Sequence, residues 1–367
     1  MYEFSWLDIT PYMLMTIILI AIVNCKGEPQ KKAWICFLLM FVFAAIRYGI
    51  GYDYYGYMNA ALHQVKQYTL DRYEPLSRLL VEIAFHTHYQ MFFILGSFLT
   101  LYPLYKVCVR LSVNPAYSLL IYFLFPSYYL ESLSIVRNAI AYSFVFFAYM
   151  RLADRKVFHS LVWLLVACFF HKSAVIGVLI YPVFYIKNNR LLHLLIFLFS
   201  FMAQAIIMHW VEQYSSVFIL LSDVERYAEH GRSEGGMMTY IINGLTIVNF
   251  AFWNKLVTFD KRNSIYLSLF NVGTFIWNVF LGVDSTIALR LSSFLQIFII
   301  LLVPCYAKAC ELKYRKFVRV SSYYFFVLLF VSSFVINIYA YLQKPDRMSN
   351  LPYQTIFYYT DYTNYVY

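Results

Sequence analysis

The sequence predicts an all-α, polytopic integral membrane protein of about twelve transmembrane helices, forming a single transmembrane domain over 1–367. Three observations predict it. The chain is 62% hydrophobic and only 13% charged, whereas soluble domains are roughly 45–50% apolar and about 25% charged. Its apolar residues fall in long continuous runs, not in the short alternating strands of a β-barrel. Finally, 18 of its 29 lysines and arginines collect at alternate junctions between those runs, with only four acids among them.

A span needs about 20 mainly apolar residues, fewer where its ends snorkel. The runs place spans near 11–25, 33–48, 90–107, 115–131, 134–151, 157–170, 172–187, 190–210, 237–255, 264–283, 286–308 and 318–342. The sixth and seventh can also merge into one re-entrant pair. The first span lacks a basic leader and a small-residue cleavage site, so it reads as a retained helix and not a signal peptide. Basic residues gather at 26–32, at Lys106 with Arg110, at 151–156, 187–190, 255–262 and 308–319. The opposite side holds 11 basic and 15 acidic residues. The Lys and Arg excess makes the first side cytoplasmic and places both termini outside. Loop anchors of this kind account for the formal charge of +10 without nucleic acid as a partner. Six cysteines lie in or near spans with no CxxC pairing, which points away from a disulfide framework or a zinc site.

Two outer segments are too long and polar to be simple connectors. One is 47–89, with an amphipathic helix near 75–86 carrying Arg78 and Glu82 on its polar face; the other is 211–236. Loops of this length are commonly lids or binding elements.

A second, smaller set of charges collects on the outer side. The run Arg47-Tyr-Gly-Ile-Gly-Tyr-Asp53-Tyr-Tyr-Gly-Tyr57 leaves the second span, and its glycines allow tight turns close to a ligand. Glu74-Pro75 has the form of a helix start, an acid at the cap and proline in the first turn. Ser132 or Ser134 is placed to cap the fifth span, with Arg137 in its first turn. His171 and Lys172 open the seventh. Asp284, Ser285 or Thr286 caps the eleventh, with Arg290 one turn inside. First turns favour acids, so arginines there run against the helix dipole. An anion held between helix termini and arginine forks supplies a reason, and phosphate or pyrophosphate suits bidentate guanidinium contacts. Ion pairs of Arg137 with Glu131 and of Arg290 with Asp284 are the structural alternative. His171 lies nearest this basic cluster and is the candidate general base. His86 and His88 are spaced i, i+2, do not share a helix face, and have no third ligand for a metal.

The run 47–57 closely resembles the R-x-G-x-G-x-D-Y motif of the EpsG/Wzy family of bacterial polysaccharide polymerases. Glu74-Pro75, Ser134-Ile-Val-Arg137-Asn138 and Phe170-His171-Lys172-Ser173-Ala174 resemble that family's next landmarks in the same order. Many members have Gln where this chain has Asn138. The resemblance implies a multi-pass enzyme of the bacterial cytoplasmic membrane that works on its outer face and needs no cofactor or metal. It would join undecaprenyl-pyrophosphate-linked oligosaccharide repeats of an O-antigen, capsule or exopolysaccharide. Its partners would be those lipid-linked substrates, membrane lipids and a chain-length regulator protein. On this reading Arg137 and Arg290, assisted by Arg47 or Lys172, hold the pyrophosphate. His171, or failing it Asp53 or Glu74, deprotonates the acceptor hydroxyl. Tyr54, Tyr57, Asn138 and the 211–236 loop contact sugars.

The competing readings are a lipid-linked oligosaccharide flippase or other transporter and a ligase-like glycan transferase. A transporter should carry ionisable residues near mid-span or paired broken helices, whereas here the charges cluster at span ends.

Overall fold

The computed structural model describes residues 8–65, 70–185, 189–214, 236–343 and 350–359. It is all-α apart from two short strands. In chain order come α1 (Thr10–Asn24), α2 (Pro29–Ala45), β1 (Arg47–Tyr48), α3 (Tyr54–Ala61), α4 (Pro75–His86) and α5 (Gln90–Leu111). Next are α6 (Pro115–Leu124), α7 (Tyr129–Ser134), α8 (Val136–Ala153) and α9 (Val157–Phe170). A 3-10 segment, Lys172–Leu179, leads into α10 (Ile180–Tyr185), α11 (Arg190–Tyr214), α12 (Gly236–Phe259) and α13 (Asn263–Leu281). The chain continues through α14 (Ser285–Gln296), α15 (Ile299–Ala309), α16 (Leu312–Gln343) and β2 (Gln354–Thr355).

Every expected span coincides with a helix or a broken helix, yet few of those helices are long. Among the described residues, four are long and apolar enough to cross a membrane: α5, the first part of α11, α13 and most of α16. The pair α14–α15, bent by 52°, is a fifth candidate. The other expected spans are shorter or interrupted. The fourth is divided into α6 and α7 at Pro126, because proline disfavours helix in the residue before it. The seventh begins as eight residues of 3-10 helix, whose poorer hydrogen-bond geometry usually limits it to 3–4 residues. The eleventh bends after Gln296, and a Cβ at Gly273 would lie 2.9 Å from the Gln296 nitrogen. That bend is therefore seated on a glycine of α13.

The chain packs as two compact units, 1–174 with 319–367, and 175–318. In the first, α5 packs on α8, α8 on α9, α2 on α5 and α6, and α1 on α6. Its two ends are chemically distinct. At one, Lys32 donates to the Val23 and Cys25 carbonyls (3.1 and 3.2 Å), Arg319 donates to Asn24 (2.7 Å), and Arg110 pairs with Asp154 (2.8 Å). These are residues that the charge pattern assigns to one side. The other end holds the 47–57 turn, the start of α8 and the chain's tail. There β2 pairs antiparallel with β1, Arg47 opposite Thr355. Tyr353 stacks on Phe43 (4.0 Å) and donates to its carbonyl (2.7 Å). The sequence pattern did not reveal this tail.

In the second unit, α13 carries Asn271, Thr274 and Asn278 on one helical face. Asn271 donates to the His193 carbonyl (2.8 Å), Thr274 bonds Thr246 (2.9 Å), and Asn278 bonds Ser200 and Asn243 (both 2.9 Å). Polar side chains between apolar helices hold a bundle together where the hydrophobic effect cannot.

The 47–57 turn is fixed by steric necessity. Gly51 has φ +106°, and a Cβ there would sit 2.2 Å from the Leu133 carbonyl oxygen. The Tyr52 N–H then donates to the Ser134 hydroxyl at 3.1 Å. Gly56, within α3, has open space where a Cβ would go. Gly51→Ala should therefore cost about 2 kcal/mol or more through strain and overlap, whereas Gly56→Ala should be neutral or stabilise by up to about 1 kcal/mol. Thermal unfolding of both variants in detergent checks the contrast.

Candidate functional site

Three distant segments meet at a single carboxylate. Glu74-Pro75 does start a helix, with Pro75 in the first turn of α4. Glu74 stands at the cap position, but its side chain makes no cap hydrogen bond. Instead Oε2 accepts from Arg137 Nη1 at 2.7 Å, across 63 positions of sequence. Oε1 lies 3.0 Å from His171 Nδ1 and accepts from the Lys172 main-chain N–H at 3.0 Å. One turn into α4, Ser77 donates to the Phe170 carbonyl at 2.7 Å, which locks α4 against the end of α9. The Arg137 guanidinium lies 4.3 Å above the Tyr73 ring and bonds the Tyr57 hydroxyl.

The start of α8 differs from the expectation. Neither Ser132 nor Ser134 caps it: the cap position is Ile135, which makes no side-chain cap bond. Ser134 accepts from Tyr52 N–H, and Ser132 donates to the Tyr129 carbonyl at 2.7 Å. The serines organise the adjoining loop, and Arg137 pairs with Glu74 through Nη1.

The electrostatics follow from this wiring. The Glu74 side chain is 12% exposed. Burial alone would push its carboxyl up, but the hydrogen bond with His171, the Arg137 charge and the Lys172 N–H together hold it down at about 2. The carboxylate is therefore ionised at neutral pH and can only accept hydrogen bonds. The facing His171 Nδ1 must carry a proton, and in the neutral ring this leaves Nε2 with its lone pair. Nε2 faces the Ser173 hydroxyl at 3.4 Å. A carboxylate that orients an imidazole in this way prepares the far nitrogen to take a proton.

The cluster thus gathers Glu74, Arg137, His171, Lys172 and Tyr57. Asp53 lies at the start of α3, half-buried and close enough for its charge to act on Tyr73. Asn138, beside Arg137 in α8, is buried.

Two expected residues belong to the core instead. Arg47 is 1% exposed. Its guanidinium donates to the Ala44 and Leu133 carbonyls (2.6 and 3.3 Å) and to Ser97 (3.3 Å), and it lies 4.9 Å from the centre of the Phe93 ring. It ties the end of α2 to the approach to α8. Tyr54 is fully buried and stacked on Phe93 at 4.3 Å, away from any surface that a sugar could reach. Both sit in a glycine-rich polar run that reads locally as exposed, and only the long-range packing buries them.

Arg290 lies in α14 of the second unit. Asp284 caps that helix as expected, accepting from the Thr286 and Ile287 N–H groups at 2.7 and 3.1 Å. Most of the 211–236 segment, residues 215–235, lies outside the described residues. Among the described residues, no three His, Cys, Asp or Glu side chains converge as metal ligands. Tyr73, the aromatic shelf under Arg137, was missed from the sequence; its only signal was adjacency to Glu74-Pro75.

The depressed Glu74 carboxyl makes a pH prediction. A folded-state value of about 2 against 4.5 contributes about 3 kcal/mol above the unfolded value. That stability is retained from neutral pH down to about 5 and lost as pH falls through 4.5 towards 2. Acid unfolding of the wild type should show this loss, and Glu74→Gln should lack that component.

Comparison with known proteins bears on the same segments. The profile of the EpsG family matches residues 33–355, while no curated protein and no solved structure matched the chain. The matched stretch covers nearly the whole chain and includes the 47–57 turn, Glu74, Arg137 and His171. The chain belongs to the EpsG family.

Proposed function

We propose that this protein is a polysaccharide polymerase acting at the outer face of the bacterial cytoplasmic membrane. It would transfer a growing glycan from undecaprenyl pyrophosphate onto the next lipid-linked repeat. The observation that carries the reading is the Glu74 carboxylate, which holds His171 and Arg137 side by side. Family membership supports the polymerase class, and the charge asymmetry of the loops supports the orientation.

In the proposed reaction the bond between the donor's anomeric carbon and the pyrophosphate oxygen breaks. A new bond forms from that carbon to the acceptor hydroxyl oxygen. His171 Nε2 takes the hydroxyl proton, Glu74 stabilises the resulting imidazolium, and the bonding electrons leave with undecaprenyl pyrophosphate. Arg137 and Lys172 offset the charge that develops on the leaving group. Tyr57 and Asn138 are buried beside Arg137, so on this reading they position its guanidinium and do not themselves touch a sugar. Sited at helix ends, the cluster suits interfacial chemistry better than a mid-span transport pathway.

With purified enzyme and one defined lipid-linked repeat, His171→Gln and Glu74→Gln should each lower turnover by about 10²–10⁴. Donor binding should change little. Because the two residues act as a unit, the double variant should be no slower than the worse single one. Losses that multiply would show independent roles. Arg137→Lys should stay badly impaired, because a point charge cannot reproduce a guanidinium fork. For orientation, a cysteine at the exposed Tyr52 should label with an impermeant reagent from outside, and one at Lys156 should not.

A further inference from the structure

The first unit contains a second feature that the proposed reaction does not use. A groove of about 840 Å³ opens between α5 and α8. Its apolar wall is aromatic: Tyr102, Phe144, Phe147 and Trp163 line it, with Trp163 stacked on Phe144 at 5.4 Å. Lys106, Arg110 and Arg151 lie at one end, all near the C-termini of their helices, together with Asp154. Arg110 is paired with Asp154. The other two cations rest on rings, Lys106 Nζ 5.2 Å from the Tyr102 centroid and Arg151 4.9 Å from that of Phe147. Arg151 Nε is buried without a hydrogen-bond partner.

Helix C-termini favour cations, but that does not explain why these two edge an open aromatic groove. Arg151 lies fourteen positions after Arg137 in α8, about 21 Å along the axis. The groove's basic end therefore faces the leaflet opposite the Glu74 cluster. The charge pattern assigns that end to the cytoplasmic side, where anionic phospholipids attract juxtamembrane Lys and Arg.

We infer that this groove is a binding site for an anionic glycerophospholipid, its phosphate held by Lys106 and Arg151 and its acyl chains lying along Trp163 and Phe144. Three cations against one carboxylate complement an anionic headgroup, and an apolar wall at span depth fits acyl chains. A polyprenyl phosphate shares that chemistry, but the polyprenyl-linked substrates of the proposed reaction are handled at the other end of α8.

The test uses the full-length protein and a Trp163→Phe variant, so that their difference isolates Trp163 fluorescence. Both are reconstituted in phosphatidylcholine vesicles, with dibrominated phosphatidylglycerol or dibrominated phosphatidylcholine as quencher. Brominated phosphatidylglycerol should quench Trp163 at least fivefold more effectively at equal mole fraction. Lys106→Gln and Arg151→Gln should each weaken that preference by about fivefold, the worth of one interfacial cation. Equal quenching by the two lipids in the wild type would overturn the inference without recourse to a variant. So would quenching by neither, which would mean that protein fills the groove. Relief of quenching by substoichiometric polyprenyl phosphate would overturn the phospholipid assignment in favour of that lipid.

Discussion

The ion pair between Glu74 and Arg137, with His171 on the second carboxylate oxygen, is the constraint from which the rest of the candidate site follows. A carboxylate this buried needs compensation, since an unpaired charge out of water costs several kcal/mol. Glu74 is compensated on both oxygens, by Arg137 on one and by His171 and the Lys172 N–H on the other. Each partner comes from a different part of the chain, so the carboxylate joins the entry to α4, the first turn of α8 and the exit from α9. Removing it would leave Arg137 half-buried and the imidazole without an orienting acceptor.

The surrounding architecture exists to hold those three segments in place. Ser77 clamps α4 onto the end of α9. Gly51 lets the 47–57 turn lie against Leu133, and Ser134 secures it. Arg47, buried among carbonyls, ties α2 to the same region. Arg47 and Arg137 show how one residue type serves two ends: both lie on aromatic rings, but one guanidinium bonds main-chain oxygens and the other meets a carboxylate.

Much of the fold was legible in the sequence because its causes are local. Apolar runs set the helices, and alternating basic junctions set which ends lie together, as Arg110 with Asp154 and Arg319 with Asn24 bear out. Glu74-Pro75 and Asp284 marked helix starts through proline and cap chemistry that acts within four residues. Legibility ended where partners are remote. Nothing near Glu74 signals that its carboxylate serves residues 63 and 97 positions away. The pairing of β2 with β1 and the burial of Tyr54 likewise depend on segments that meet only in the folded chain. Helix length was less legible: hydropathy located the apolar runs but not the breaks at Pro126 and after Gln296, and among the described residues four or five helices are long and apolar enough to cross a membrane.

The central claim is that Glu74 fixes the His171 imidazole with its proton on Nδ1 and its lone pair on Nε2. The nitrogen-15 spectrum of histidine-labelled protein at neutral pH measures this directly, with the His171 signals identified by their loss in His171→Gln. For the neutral imidazole the account predicts the proton on Nδ1 and the lone pair on Nε2, with the preference abolished in Glu74→Gln. A neutral imidazole protonated on Nε2 in the wild type, or a tautomer unchanged by Glu74→Gln, would contradict it.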